Sequence, residues 1–169
     1  MKKKLTTKRL TLEVPTLNHS ELLVKVANSK DIADRLSSHP YPFTLKDAKF
    51  WIKKVTTKDD YQGFLIVLDN EIIGIIEIDI SIEHNHVTIS YFLVKKYWNQ
   101  GYMSEAVKRV VEFCFDDLGL IRVASHHFSN NIASGKVLLK SGFLLEGVRK
   151  KHFRKNGEYL DICDYGILK

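Results

Sequence analysis

The spacing of apolar residues changes along the chain from helical to strand-like and back, and this change limits the fold more than any other feature of the sequence. Before Gly63, most apolar residues recur every three or four positions, as in helices that bury one face. After Gly63, they run continuously or alternate over short stretches between polar turns, as in strands. We predict strands over residues 9–14, 64–68, 72–80, 86–94, 121–125, 143–148 and 159–168, and helices over residues 18–29, 44–55, 104–118 and 131–141.

The predicted elements follow the order β-α-α-β-β-β-α-β-α-β-β. Such an order is typical of a layered α/β (α+β) domain, in which helices cover a mixed sheet. The strongest helical signal lies at residues 104–118, where apolar side chains recur at three- and four-residue spacing until Gly119 ends the pattern. Thr44 is the predicted cap of the second helix.

Length and composition predict one ordinary globular domain. The chain has 169 residues, 44% of them hydrophobic, and we expect a single domain over residues 1–169. The chain begins with basic residues, but no apolar segment follows them, and no stretch approaches the roughly 18 apolar residues of a membrane-spanning helix. Cys114 and Cys163 lack metal-ligand spacing, so we expect two buried thiols, no metal and a cytoplasmic setting.

The formal net charge of +6 indicates an anionic partner. Nucleic acid, an anionic membrane and a phosphorylated small molecule all fit, and charge alone does not choose among them. The basic run at residues 149–155 includes one aromatic residue, a combination also found in nucleic-acid-binding proteins. Because the run is short and lies in a predicted hairpin without a nucleic-acid-binding motif, we favour a solvated hairpin.

The segment from Asn99 to Ser104 joins a predicted strand to the strongest helix. A helix start carries backbone N–H groups without intrahelical partners and a partial positive charge, and Gly101 lets a ligand approach the backbone closely. These properties suit a pyrophosphate group. An ordinary loop ending in a helix cap, with Ser104 as the cap, explains the same residues and stays open at this point.

The stretch at residues 97–106 resembles the acetyl-CoA signature of the GNAT superfamily of N-acetyltransferases. It is most similar to the branch that contains the ribosomal-protein N-terminal acetyltransferases. A second similar motif spans residues 131–147, and further similarities lie at residues 9–10, 40–44 and 156–168. The resemblance implies a central mixed sheet with helices on both faces, splayed between the fourth and fifth predicted strands. It also implies acetyl-CoA as co-substrate.

The resemblance assigns cofactor contacts to particular residues. Backbone groups near Leu93 and Val94 would bind the pantetheine, amides of the strand-to-helix segment would hold the pyrophosphate, and Asn131 would lie near the thiol end. The residues so implicated are Leu93, Val94, Asn99, Gln100, Gly101, Tyr102, Met103, Ser104, Asn131 and Lys140.

The resemblance further implies direct attack of the amine on the thioester, without an acyl-enzyme. Ser134 is then a candidate acid for the leaving thiolate, although a serine at a helix start also bonds locally. Leu138 occupies the position where many relatives carry a catalytic tyrosine, and Phe153 replaces the glutamate of the similar branch.

Candidate proton acceptors follow from residue type. Glu77 and Asp79 lie two apart on one strand and hence on one face, where Glu77 could orient or deprotonate an ammonium, directly or through water. Both carboxylates could equally be solvated. His126, His127 and His152 are further candidate bases. Adjacent histidines on a strand point to opposite faces, so His126 and His127 do not form a metal site.

The acceptor is predicted to be a primary amine. Tyr41 and Phe43 are candidates for the wall of its site, with Asp79 as a substrate contact. A protein N-terminal α-amine and a small amine, such as a polyamine or an aminoglycoside, both fit. A catalytically weak module that only binds acyl-CoA is the main alternative. A homodimer is compatible with the resemblance.

Overall fold

The structure is a computed structural model and describes residues 4–169. Positions 1–3, which belong to the basic start and to the predicted single domain, lie outside the described residues. The strands are β1 (Lys4–Thr6), β2 (Thr11–Glu13), β3 (Tyr61–Leu68), β4 (Glu71–Ser81), β5 (His86–Leu93), β6 (Arg122–Phe128), β7 (Leu144–Lys155) and β8 (Glu158–Leu168). The α-helices are α1 (Ser20–Ala27), α2 (Lys30–Ala33), α3 (Leu45–Thr57), α4 (Tyr102–Glu112) and α5 (Ile132–Lys140).

The strands form one eight-stranded sheet in the order β1-β2-β3-β4-β5-β6-β8-β7. All neighbours pair antiparallel except β5 and β6, which are parallel and pair only through residues 86–88 and 122–124. Beyond that point the two strands separate, and the hydroxyl of Ser125 donates to the carbonyl of Ile89 at 3.0 Å. The predicted mixed sheet, splayed between the fourth and fifth predicted strands, is therefore confirmed.

Helices cover both faces of the sheet, as predicted. One core packs the sheet against α4 and α5, and a second core packs it against α1, α2 and α3. Phe64 and Leu65 are neighbours on β3, yet both are fully buried because they belong to different cores. Burial on both faces explains why this strand is an uninterrupted apolar run.

Two local predictions were incomplete and one was wrong. The predicted first strand is shorter and pairs with β1, while α2 is too short, at four residues, to show a helical period. The basic run at residues 149–155 lies in the β7–β8 hairpin and is mostly exposed, which confirms the favoured solvated hairpin. Since β7 is an edge strand, its exposed side chains need not be apolar. The prediction of Ser104 as a helix cap was wrong, because α4 begins at Tyr102 and Gly101 is its N-cap.

The capping prediction for the second helix is confirmed. The hydroxyl of Thr44 accepts from the backbone amide of Asp47, and the carboxylate of Asp47 accepts from the amide of Thr44. Within residues 4–169, no helix is long and apolar enough to cross a membrane.

Candidate active site

A cavity of about 680 Å³ opens where β5 and β6 separate. Its walls come from the end of β5, the loop into α4, β6, the first turns of α5, and the segment around α2. The predicted site residues on its walls are Leu93, Asn99, Gly101, Tyr102, Met103, Ser104, Asn131, Ser134 and Lys140. The splay of the sheet therefore brings two distant sequence motifs to one opening.

The N-terminus of α4 forms one end of this cavity. Gly101 has φ +81°, a left-handed conformation that side chains rarely adopt, and the loop also holds Asn99 at φ +60°. The carbonyl of Gly101 accepts the helical bond from Glu105, which leaves the amides before Glu105 without helical partners. An anion is favoured there by both the free N–H groups and the helix dipole.

Gln100 does not line the cavity but anchors the loop. Its side-chain amide donates to the carbonyl of Lys96 at 2.9 Å, and its own carbonyl accepts from the Arg9 guanidinium at 3.1 Å. The backbone amide of Gln100 remains compatible with the predicted contact to the pyrophosphate. Its side chain instead stabilises the loop.

Arg9 and Glu105 fix the helix start from behind. The carboxylate of Glu105 accepts from the side chain of Arg9 at 2.7 Å, from its backbone amide at 2.8 Å, and from the hydroxyl of Thr7 at 2.5 Å. The guanidinium also lies over the ring of Tyr102, 4.4 Å from its centroid. Partial burial raises the pKa of Glu105, but the bonds from Thr7 and Arg9 outweigh it and hold the pKa below its usual value. Sequence analysis used Arg9 only as part of a motif and did not assign this contact.

The backbone of β5 supplies hydrogen-bonding groups on the open side of the splay. Because the carbonyl of Ile89 points toward β6 and the direction alternates, the backbone groups of Tyr91 and Leu93 face the gap. The carbonyl of Leu93 accepts from the indole of Trp98 at 2.8 Å. Val94 does not fit its predicted role in the same way, since its amide points to β4 and donates to Ile73 at 2.9 Å.

The N-terminus of α5 forms the other end of the cavity. The side-chain oxygen of Asn131 accepts from the amide of Ser134 at 3.4 Å, so Asn131 caps the helix as well as lining the cavity. The hydroxyl of Ser134 lies 3.0 Å from the hydroxyl of Tyr91. Burial raises the pKa of Tyr91, which keeps the phenol protonated. Sequence analysis missed Tyr91, although strand alternation places it on the face opposite Ser90.

His127 forms a buried wall beside that helix start. Its ring is only 7% exposed, and its Nδ1 lies 2.8 Å from the carbonyl of Phe128, which accepts a hydrogen bond only if Nδ1 carries the proton. Among the described residues, Nε2 has no hydrogen-bond partner. A Cβ at Gly135 would lie 2.7 Å from that nitrogen, so the absence of a side chain at Gly135 makes room for the ring.

His126 and His127 both line the cavity, but His126 is exposed whereas His127 is buried. Partial burial of the His126 ring lowers its pKa despite the opposing effect of Asp164. The third candidate base, His152, lies 2.5 Å from the Arg149 guanidinium and outside the cavity lining.

Glu77 does not reach the cavity, contrary to its predicted role in orienting or deprotonating the amine. Its carboxylate accepts from Trp51 at 2.6 Å, from Tyr61 at 2.5 Å and from Ser90 at 2.9 Å. These bonds tie α3 to the sheet, and only Ser90 among them lines the cavity. Asp79 shares the face of Glu77, as predicted, but is exposed and outside the cavity, so it does not contact a ligand there.

The predicted acceptor wall also needs correction. Phe43 is 7% exposed and belongs to the second core, where its ring stacks on His39 at 4.9 Å. Tyr41 is 56% exposed and does not line the cavity. The wall on this side comes instead from Ile32, Arg35 and Leu36, which sequence analysis missed because α2 carries no periodic signal.

The cavity has a one-sided charge. Arg35, Lys136 and Lys140 line it, whereas no carboxylate does so within residues 4–169. In the basic run of β7, Arg149 pairs with Asp164 and Lys150 pairs with Asp161. Arg35 is likewise paired with Asp31, whereas Lys136 and Lys140 have no salt bridge within residues 4–169. This arrangement favours a small anionic ligand in the cavity over nucleic acid on the hairpin. In the part of the chain that the structure describes, no group of His, Cys, Asp or Glu side chains could hold a metal ion.

Comparisons with known proteins agree with this geometry. A family model described as "Acetyltransferase (GNAT) domain" matches residues 9–144. The chain is 37% identical over 87 residues to the uncharacterized N-acetyltransferase YoaA of Bacillus subtilis, which is 52% of this chain and 49% of that relative. It is 25% identical over 153 residues to the L-amino acid N-acetyltransferase AaaT of Escherichia coli, covering 84% of this chain and 94% of the relative.

The solved structures give the same result for the fold. RimL, a ribosomal alpha-N-protein acetyltransferase in complex with Coenzyme A, superposes with a TM-score of 0.90 at 20% identity, over 97% of this chain and 96% of that chain. The alignment with YoaA spans about half the length of that relative, so it bears on the shared segment alone.

Proposed function

Since the chain belongs to the GNAT acetyltransferase family and is an acyl-CoA-dependent N-acetyltransferase, we propose that it transfers the acetyl group of acetyl-CoA to a primary amine by direct attack in a ternary complex. One observation carries the proposal. The N-termini of α4 and α5 open on a single cavity, at the point where β5 loses its partner β6. Each helix start favours negative charge, so one suits a pyrophosphate and the other a developing thiolate.

The residues of the cavity fit acetyl-CoA. The phosphates suit the amides after Gly101 and the cations of Lys136 and Lys140. The extended pantetheine suits the side of β5 that no longer pairs with β6. His127 also lines the cavity, with its Nε2 buried against Gly135. When bound, acetyl-CoA supplies an activated thioester, and the protein's part is to hold it beside the amine and to exclude other nucleophiles.

Proton transfer is assigned to groups that reach the cavity. His126 is a better proton acceptor for the amine than Glu77, because its ring lines the cavity and its lowered pKa keeps it neutral near pH 7. A water molecule can connect the amine to the His126 ring. Ser134 lines the same cavity from the first turn of α5 and is the proposed hydrogen-bond donor to the leaving sulfur.

The charge of the cavity bears on the acceptor. A polyamine or aminoglycoside needs converging carboxylates, and within residues 4–169 none lines the cavity. An α-amine of a peptide or an amino acid places its neighbouring carbonyl or carboxylate beside the amine, and Arg35 offers that group a cation. We therefore propose an α-amine acceptor, of which a protein N-terminus is one form and a free amino acid, the substrate class in the name of AaaT, is the other.

An acceptor panel tests this proposal. Release of the CoA thiol from acetyl-CoA is followed with peptides beginning in Ser, Ala or Met, with free amino acids, and with polyamines and aminoglycosides. Amine-dependent thiol release with α-amines is expected. Release with polyamines alone would contradict the acceptor class, and acetyl-CoA binding without release for any amine would identify a binding module instead.

Incubation with radiolabelled acetyl-CoA in the absence of an amine tests the direct-transfer step. No label should remain on the denatured protein. A stable acetylated protein that passes its label to the amine would contradict attack in a ternary complex.

A further inference from the structure

Tyr91 makes the one side-chain contact of the Ser134 hydroxyl within the described residues. Its phenol leaves β5 just past the point where β6 diverges, and its oxygen lies 3.0 Å from Ser134 Oγ and 3.3 Å from the Ser134 carbonyl. The two residues are 43 positions apart in the chain, so the contact exists only in the folded protein. It joins the splayed strand to the first turn of α5.

The protonation state of Tyr91 restricts what this contact can do. Burial raises the pKa of the phenol, the bond with Ser134 opposes this rise, and the nearby Tyr165 adds to it. The raised pKa therefore keeps the phenol protonated near neutral pH. Its single proton can go to either oxygen of Ser134, the hydroxyl at 3.0 Å or the carbonyl at 3.3 Å, and the shorter distance favours the hydroxyl.

A hydroxyl that accepts from a fixed donor has its own proton free to point elsewhere. If Tyr91 donates to Ser134 Oγ, the Ser134 proton is directed away from Tyr91, and Ser134 lines the cavity. That proton lies at the start of a nine-residue helix, where the dipole favours a negative charge.

We propose that Tyr91 is a positioning residue that fixes the Ser134 hydroxyl as a hydrogen-bond donor to the sulfur of CoA. The inference rests on the proposed function and deepens it. When the C–S bond of the thioester breaks, the electron pair stays on sulfur, and the Ser134 O–H bond stabilises the thiolate without giving up its proton. The amine loses its proton to His126 or to water. The released thiolate takes a proton from water.

This assignment also accounts for Leu138. The side chain at that position is fully buried and apolar and cannot donate to a sulfur. Tyr91 brings a phenol to the same helix from β5 and acts through Ser134. The position at which many relatives carry a tyrosine therefore holds no hydrogen-bond donor. The donor comes from β5 instead.

The test uses CoA itself as the probe and needs no acceptor. The ultraviolet absorbance of the thiolate is followed against pH for CoA bound to saturating protein, after calorimetry has established binding. In the wild type, the pKa of the bound thiol should lie below that of free CoA. Ser134→Ala should raise this pKa by about 1 unit, because it removes the hydrogen bond to the charged thiolate. Tyr91→Phe should raise it by about half a unit, because it removes only the weaker hydrogen bond that orients Ser134.

The double variant separates positioning from direct action. If Tyr91 acts only through Ser134, then Tyr91→Phe in the Ser134→Ala background should cause no further change. Tyr165→Phe is the matched control, since it removes a phenol from the same buried cluster without touching Ser134, and it should leave the thiol pKa unchanged. Unfolding curves check that each variant keeps its fold.

Several results would overturn the inference. One is that Tyr91→Phe titrates like the wild type while Ser134→Ala shifts, and another is that the double variant shifts more than Ser134→Ala alone. Should Tyr91→Phe fail to fold, replacing all tyrosines with fluorotyrosine, a stronger donor, must lower the thiol pKa in the wild type and leave it unchanged in Ser134→Ala. Absence of CoA binding by the wild type would refute the proposed function and this inference together, whereas normal binding with an unshifted thiol pKa would refute the inference alone.

Discussion

Replacing Gly135 with alanine tests the packing of the α5 helix start against the buried histidine. A Cβ at this position would lie 2.7 Å from His127 Nε2 and 3.1 Å from the Tyr165 hydroxyl. The His127 ring cannot move aside freely, because it is 7% exposed, lies against the Phe128 carbonyl and stacks on Tyr165 at 5.3 Å. Overpacking of this kind costs about 1–3 kcal/mol.

The helix itself gains from the same substitution. Alanine stabilises a helix interior over glycine by about 1 kcal/mol. The two effects together predict that Gly135→Ala lowers the free energy of unfolding by about 1 kcal/mol. Urea denaturation measures this value, and the slope of the transition should not change.

Removing the imidazole of His127 should reverse the sign of the Gly135→Ala effect on the free energy of unfolding. In a His127→Ala background the overlap is relieved, so Gly135→Ala should raise the free energy of unfolding by up to about 1 kcal/mol. Gly147→Ala is the matched control, because nothing lies within 4 Å of a Cβ there, and its effect should stay within about 0.5 kcal/mol. An equal loss from Gly135→Ala with and without His127 would refute the reasoning.

Three further substitutions test the parts of the site. Arg9→Ala removes the cation that neutralises the Glu105 carboxylate beside the proposed phosphate site, so it should weaken CoA binding about fivefold by calorimetry, whereas Lys8→Ala removes the same charge and should not. Glu77→Gln should lower the free energy of unfolding by about 1–3 kcal/mol, because one carboxylate accepts from three donors, and should leave the rate per folded molecule nearly unchanged. His126→Gln should remove a rise of the rate with pH, whose midpoint in the wild type lies below the usual histidine value of 6.5 because burial lowers that pKa.

Each of these expectations can fail on its own. Equal weakening of CoA binding by Arg9→Ala and Lys8→Ala would show that the Arg9 effect comes from net charge alone. A loss of rate in Glu77→Gln without loss of stability would return Glu77 to the proton pathway. An unchanged pH profile in His126→Gln would exclude that ring as the proton acceptor.

The sequence was sufficient to predict features that repeat along the chain. Helical and strand periods located the elements that build the splayed sheet, and the two motifs placed Gly101 and Ser134 at helix starts that open on one cavity. Burial of β3 on both faces follows from its continuous apolar run. These signals are local, so they can be read without knowing the tertiary structure.

The errors concern contacts between distant parts of the chain. Strand alternation correctly placed Glu77 and Asp79 on one face, but it could not say that Trp51 from α3 would cover that face. The motif around Phe43 did not reveal that His39 and the second core enclose its ring. Tyr91 looked like an ordinary strand residue, because its partner lies 43 positions later.

Amide hydrogen exchange with and without acetyl-CoA tests the central claim most directly, namely that the starts of α4 and α5 hold one acetyl-CoA between them. Bound acetyl-CoA should slow exchange at residues 101–104 and at residues 132–135 together, with little change in the basic run of β7. Protection at only one helix start, or protection confined to the β7–β8 hairpin while amine-dependent thiol release persists, would contradict it.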